Sequence, residues 1–528
     1  MMKPEQPIFP ILKSSIVTVG LIVLAVLAWP VASVLAAEAQ ATRRKTLAPT
    51  PTAGSMYLYP ERIPLEAGGL MSAERGVIFV PLNRSKPGSQ VISLDIYRFR
   101  AADPHPGAPP IFYLFGGPNF GGLEPLLARP GYYESRLRAL HASADLVVVS
   151  QRGIGPSKPT TLIEGASSFP LDKAVTEDER AEAIRSAAVR QRKYWTDQGL
   201  DLRGFTVLEA AMDLNDVRKA LGYDKVVLWG GSFGSHWAMA TMRLLPDMVA
   251  RVVLRGMEGP DHTYDMPSYV LNSVKRLAAE ADAAPALTGL VPPGGMMKAF
   301  ETVLERVSTA PVLVQVKDAK TGVTQTVRFG PEDVRGMVTG YTASAASRNG
   351  MRTWAADILR LYHGDFSAAA ELRVRSRETE SFRTASYFML DCGSGISPGR
   401  RARLMKDPAA AIVGALGFNY RTACPVWDID LGDDFRKNFE TSIPTVIAQG
   451  DYDVSTPLEN ALELSPFFKN SRFVVVRGGS HPALDDAMDA APEFAKAVLS
   501  FARTGDMSGL PKEVALPPIR WEVPVISK

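Results

Sequence analysis

Cysteine and histidine are both scarce in this chain of 528 residues, which has two of the first and six of the second. Two cysteines exclude a disulfide-dense scaffold and a four-cysteine zinc site. No other metal-ligand spacing is present, so neither a metal nor a cofactor is expected. Excess charge of one sign is missing as well. Fifty-nine basic against 56 acidic residues leave +3, too small a field to hold a polyanion, and nucleic acid is set aside as a partner. There is no internal repeat and no low-complexity tract. The 43 glycines and 40 prolines show no period, which reads as many loops rather than a fibre. What is there is ordinary globular composition, 46% hydrophobic and 22% charged, in a chain long enough for roughly two to four domains.

One long apolar run exists, and it lies at the start. Lys3 and Lys13 precede an uncharged stretch from Ser14 to Ala37, followed by small residues around Val34–Ala36 and Ala37–Ala39 that suit a signal peptidase. Residues 1–39 therefore read as an export signal. An uncleaved membrane anchor is the alternative, because a run of about 20 apolar residues spans a bilayer. Either way the basic flank stays inside and the body is exported, to the periplasm or the outside. Residues 40–74, with Pro49, Pro51 and Gly54, read as a linker.

Beyond the linker, short apolar β-branched runs alternate with helical patterns. Ile111–Phe115, Leu146–Val149, Val226–Trp229, Val252–Leu254, Thr445–Ala448 and Phe473–Val476 are nearly all apolar, as a parallel sheet covered on both faces requires. One intervening helix is well marked. Thr206 and Glu209 make a capping-box pattern, one apolar face follows, and Gly222 ends it. The alternation predicts an α/β, doubly wound, mostly parallel sheet. It runs over 75–260 and resumes over 437–505. Between them, 261–436 reads as a large, mainly helical lid insertion containing a hairpin around Lys320–Gly322. Residues 506–528 read as a C-terminal tail.

The chemistry begins at Gly230–Gly234, a G-x-S-x-G pattern. It recurs at Gly395–Gly399. A nucleophile elbow needs a strand before it, a helix after it, and an N–H on the residue following the serine. Ser232 has all three, with Phe233 supplying the N–H, whereas Ser397 is followed by Pro398, which has none. A serine needs a base. Of the six histidines only His481 lies beyond the last strands, in a loop at a strand's C-terminal end. His236, on the elbow helix, reads as structural. For the acid, the strand Thr445–Ala448 leads to Asp451 and Asp453. Asp453 lies further toward the strand ends and is preferred, with Asp451 as a turn residue. The loop Gly116–Gly122 lets the backbone approach a ligand, and Gly117 is the second oxyanion donor because Pro118 has no N–H. Its spacing fits neither a dinucleotide nor a phosphate loop.

These motifs, taken together, resemble the prolyl and tripeptidyl aminopeptidase group of α/β-hydrolases. They are GGP at Gly116–Pro118, SQRGIGPS at Ser150–Ser157, the segment around Ser232, GDYDVSTP at Gly450–Pro457 and GGSHP at Gly478–Pro482. The resemblance implies an α/β-hydrolase fold and a serine peptidase that releases N-terminal residues or short peptides under a helical cap. It also favours Asp453, because the family's G-x-x-D-x-x-T-P is met by Gly450, Asp453, Thr456 and Pro457. Phe115 and Asn119 replace the family's first His and last Gly in H-G-G-P-G, and Ser150 replaces its Asp in D-Q-R-G. Both changes touch the oxyanion loop, and the lid carries no matching motif.

The expected mechanism is acyl transfer through Ser232, His481 and Asp453, with the Gly117 and Phe233 N–H groups as the oxyanion hole. The substrate is a peptide, with an ester hydrolase on the same triad as the alternative and a non-catalytic binding protein as a third reading. The resemblance further implies acidic residues binding the substrate's amine. Glu258, after the strand that follows the elbow helix, is the candidate in the sheet domain, and Asp261 lies three residues on. A salt bridge from Glu258 to a lid arginine, or a loop cap, is the competing reading. In an exported chain Cys392 and Cys424 would pair, closing a loop whose chain-entropy contribution is roughly 3–4 kcal/mol. Two buried free thiols are the alternative.

Overall fold

In the computed structural model of the chain, which describes residues 52–65, 69–118, 123, 130–161, 169–318, 321–344, 348–377 and 385–526, all six apolar runs are strands of one sheet. They are β4 (Ile111–Leu114), β5 (Leu146–Val149), β6 (Val226–Ser232), β7 (Val249–Met257), β10 (Thr445–Gly450) and β11 (Ser471–Arg477). Four further strands extend the sheet: β1 (Met56–Pro64), β2 (Leu70–Pro81), β3 (Val91–Phe99) and β12 (Glu513–Ala515). The order is β1-β2-β3-β5-β4-β6-β7-β10-β11-β12. Neighbours from β5 through β4 to β12 are parallel, while β1, β2 and β3 pair antiparallel with one another and β3 pairs antiparallel with β5.

Consecutive side chains of the central strands enter opposite faces, the period of two that a strand imposes. Val226 and Leu228 join the layer containing Phe112, Phe233, Trp237 and Ile447. Val227 and Trp229 join the layer containing Tyr113, Val253, Val446 and Val474. The first layer is closed by the helices Glu177–Asp197, Val207–Ala220 and Phe233–Leu244, the second by Ala483–Ala490 and Pro492–Thr504.

Three boundaries differ from the sequence reading. The 40–74 linker holds β1 and the start of β2: β1 pairs antiparallel with β2, whose charges are matched on β3, with Arg98 Nε 2.6 Å from Glu74 and Arg75 Nε 3.0 Å from Asp95. The 506–528 tail supplies β12, and its Ile519 and Trp521 are buried in the core of the insertion, worth about 1.5–3 kcal/mol for each such side chain. The insertion between β7 and β10 is also not uniform. Its first part builds a core of its own from Val270, Leu277, Phe300, Val303 and Trp354 around the hairpin β8 (Val312–Lys317) and β9 (Thr324–Phe329). The helices Ala385–Ser394 and Phe418–Trp427 instead pack Met389, Leu390, Ala423 and Trp427 into the sheet domain's core.

Thr206 caps its helix by accepting the Glu209 N–H at 3.3 Å. The reciprocal half of the capping box is missing, because the Glu209 carboxylate is drawn to Arg84. Cys392 and Cys424 are joined by a disulfide. The export segment 1–39 and the linker up to residue 51 lie outside the described residues. Among the described residues no helix is long and apolar enough to cross a membrane.

Candidate active site

The elbow is a steric construction. Ser232 has φ 57° and ψ −134°, a left-sided conformation that costs a non-glycine residue of order 1–3 kcal/mol and is held only where its surroundings enforce it. A Cβ at Gly230 would overlap the Gly234 carbonyl oxygen, and one at Gly234 would overlap the Leu114 carbonyl oxygen. Both glycines of the pattern are thus required for β6 to turn sharply into the helix Phe233–Leu244 while β4 lies alongside. Phe233 is the first helical residue and is buried, so its N–H is one of the donors a helix start leaves unpaired.

The loop after β4 comes up against Ser232. A Cβ on Gly116 would sit 3.0 Å from Ser232 Cβ and 3.4 Å from Ser232 Oγ. Gln151 pins this loop from the side, its Nε2 donating to the Phe115 carbonyl at 3.0 Å and the Gly116 carbonyl at 3.1 Å. Gly117 follows at φ 118°, ahead of a cis bond to Pro118. The neighbouring Arg152 does not reach the site. It is fully buried and ion-paired with Asp213 at 2.7 Å, binding strand-end carbonyls including Leu82 at 2.6 Å.

Asp453 and His481 meet at the C-terminal ends of β10 and β11. His481 Nδ1 lies 2.9 Å from Asp453 Oδ2 and 3.1 Å from Oδ1. The Asp453 carboxylate also accepts the Ser455 N–H at 2.9 Å, the Thr456 N–H at 3.0 Å and the Thr456 hydroxyl at 2.7 Å. Gln449 Nε2 approaches at 3.3 Å. Burial pushes this carboxyl's pKa up, but the His481 ring and the Thr456 donors outweigh it, and the net shift is downward. The imidazole is packed against β7: a Cβ at Gly256, whose φ is +53°, would lie 3.0 Å from His481 Cε1. Asp451 does something else. It accepts the Gly478 N–H at 2.7 Å and braces the turn after β11.

A second group of carboxylates stands beside this edge. Glu258 follows β7 and is half-buried, and its backbone N–H donates to Ser235 Oγ at 2.9 Å. Among the described residues its carboxylate makes neither an ion pair nor a hydrogen bond. Among the described residues no lid arginine reaches it. Burial, followed by repulsion from Asp391 and Asp265, pushes its pKa well above the carboxylate range. Asp265 is raised to about 7, by burial first and by the charge of Asp453, against a lowering effect of Arg400. Asp261, by contrast, is spent on structure, accepting the Ser397 N–H at 2.7 Å and its hydroxyl at 2.5 Å. Ser397 of the second G-x-S-x-G is a helix N-cap, accepting the Arg400 N–H.

Residues 109–307 match the family described as "alpha/beta hydrolase fold" and residues 410–509 the one described as "TAP-like protein". The chain has the α/β-hydrolase fold, and its C-terminal part is similar to TAP-like proteins. It is 23% identical to the tripeptidyl aminopeptidase of Streptomyces lividans over 444 residues, 78% of this chain and 80% of that one. It is 26% identical to the serine protease Hip1 of Mycobacterium tuberculosis over 192 residues, where the match covers 35% of this chain and only 36% of the length of Hip1. Among solved structures, an esterase from Exiguobacterium antarcticum aligns over 80% of this chain and 98% of its own, with 13% identity and a TM-score of 0.35. The chain is thus similar to α/β-hydrolases, among them a serine protease and a tripeptidyl aminopeptidase.

Several site residues escaped the sequence reading. Thr456 was visible only as a motif match, yet its hydroxyl lies 3.2 Å from His481 Nδ1 as well as on Asp453. Gln151 could be found from the SQRG motif. Asp391 carries no local signal, since it lies far along the chain and approaches Glu258 only through the fold, and Asp265, seven residues after Glu258, sits in no motif that marks it.

Proposed function

We propose that this TAP-like hydrolase is an exported aminopeptidase. Ser232 is the nucleophile, His481 takes its proton, and Asp453 orients the ring and stabilises the imidazolium. The Gly117 and Phe233 N–H groups hold the oxyanion. Attack opens the peptide carbonyl to a tetrahedral intermediate, His481 returns the proton to the leaving amine, and water then releases the acyl group from Ser232. Export rests on the apolar segment within residues 1–39, which also offers a membrane tether if it is not cleaved.

The observation that supports the peptidase reading is the Glu258 carboxylate, which among the described residues has no cation beside it and lies next to Asp265 and Asp391. A desolvated carboxylate with no partner is costly, and a substrate's protonated α-amine supplies the missing charge. The test compares an aminoacyl p-nitroanilide with a free amine, its N-acetyl form and p-nitrophenyl acetate. An aminopeptidase prefers the first strongly over the second. Comparable rates on the free and acetylated anilides, with the ester fastest, would make the enzyme an esterase instead.

A further inference from the structure

The buried histidine on the elbow helix belongs to no part of the triad, yet it touches both segments that carry the amine-facing carboxylates. His236 lies four residues after Ser232 and is 1% exposed. Its Nδ1 is 3.0 Å from the carbonyl oxygen of Gly259, the residue after Glu258. Its Nε2 is 2.7 Å from Ser394 Oγ, on the helix Ala385–Ser394 that carries Asp391 one turn earlier. A carbonyl can only accept, so Nδ1 bears the proton. Nε2 is then the acceptor, and Ser394 donates to it. Both ring nitrogens are spent, one on each carboxylate-bearing segment.

We propose that His236 is a positioning residue, a strut from the nucleophile helix that sets where Glu258 and the Asp391 helix stand relative to Ser232. The surrounding contacts are built to the same end. Ser235, its neighbour, donates to the Ser232 carbonyl at 2.7 Å while accepting the Glu258 N–H. Arg436 Nε donates to the Ser394 carbonyl at 2.6 Å, and the Cys392–Cys424 disulfide fastens the same helix. The ring itself sits between Phe233 and Phe435, each with its centroid 5.8 Å away. Burial, chiefly, holds its pKa down at about 4, with His262 adding to the effect against the Gly259 carbonyl. The imidazole therefore keeps one tautomer and both bonds across neutral pH. An apolar side chain would fill the same volume but make neither bond, so what the histidine adds is placement.

The proposal rests on the amine-site reading, and its test separates the two. Ser394→Ala removes one arm of the strut without altering the nucleophile helix. His236→Asn keeps a donor for Gly259 but loses the acceptor for Ser394. For each variant, and for the pair combined, kcat and KM are measured on the free-amine p-nitroanilide, the N-acetyl anilide and p-nitrophenyl acetate. Fluorophosphonate labelling reports an intact Ser232 site. The expected result is a KM about tenfold higher for the free-amine anilide, with p-nitrophenyl acetate turnover unchanged. The double variant should add nothing to either single one, because both remove the same bond. Equal losses on all three substrates, or a lowered Tm with no change in free-amine KM, would overturn the strut and leave His236 as packing. Glu258→Gln is the control: if it too leaves the free-amine KM unmoved, the amine-site reading itself fails, and the strut falls with it.

Discussion

Asp453 and Glu258 stand on the same edge of the sheet, and the chain treats them in opposite ways. Asp453 is surrounded by donors: an imidazole, two backbone N–H groups, a hydroxyl and an amide. Its pKa falls in spite of burial. Glu258 has a bonded backbone and a bare carboxylate, with two further acids as its electrostatic neighbours, and its pKa rises. The difference is one of who supplies the compensating charge. At Asp453 the protein does so, and the acid is set for one orientation before any substrate arrives. At Glu258 nothing in the described chain does so, which is the opening the proposed amine contact would fill.

The largest effects should come from breaking the satisfied side. Ser232→Ala or His481→Ala should cut turnover by roughly 10⁴–10⁶, and fluorophosphonate labelling should vanish in the serine variant. Undiminished labelling there would remove Ser232 as nucleophile. Next, Asp453→Asn should lose roughly 10³–10⁴ in kcat, whereas Asp451→Asn, which loses only a turn brace, should change activity far less. A larger loss at Asp451 would reverse the assignment.

The unsatisfied side gives smaller and more selective effects. Glu258→Gln should raise KM for free-amine anilides by roughly 10- to 100-fold, the worth of a charge-assisted contact, and barely move a small acyl ester. Equal losses on both would make Glu258 a support for the insertion. The smallest signal is at Asp265. Its folded pKa of about 7 lies above the ordinary 3.8, so the folded state holds a proton that the unfolded chain gives up. The stability this group contributes is full below about pH 4 and is lost as pH rises through 7. Asp265→Asn should therefore raise Tm at pH 8 and leave it unchanged near pH 4, read by thermal melts. The same variant should flatten the ratio of free-amine to ester kcat/KM, which in the unaltered enzyme should rise with pH through about 7 as Asp265 ionises. A variant that melts identically to the parent at both pH values would show that Asp265 is not held protonated.

The central strands were legible because burial on both faces writes an unbroken apolar run, as in Leu146–Val149. The outer strands were not. Glu74, Arg75, Asp95 and Arg98 look like loop residues until their partners across β2 and β3 are known. The 506–528 segment contains Pro517 and Pro518 and reads as a tail, though Trp521 is buried in the insertion. Glu209 carries a capping-box position in the sequence but is claimed by Arg84, 125 residues away. In each case a contact distant along the chain overrode a local pattern.

The sequence by itself located the elbow, since Gly230 and Gly234 flank Ser232 between an apolar run and a helical pattern, although the need for glycine at 234 comes from Leu114 on β4. It also narrowed the base and the acid to His481 and Asp453, because the order of strands and the shortage of histidines left few others. The pairing of His481 with Asp453, the Thr456 hydroxyl between them, and the meeting of Glu258 with Asp265 and Asp391 were decided only by tertiary structure. A local turn depends on neighbours in the chain, which a sequence records. The ionisation of a carboxylate depends on the charges and solvent that surround it in space, and those come from segments that the sequence places far apart.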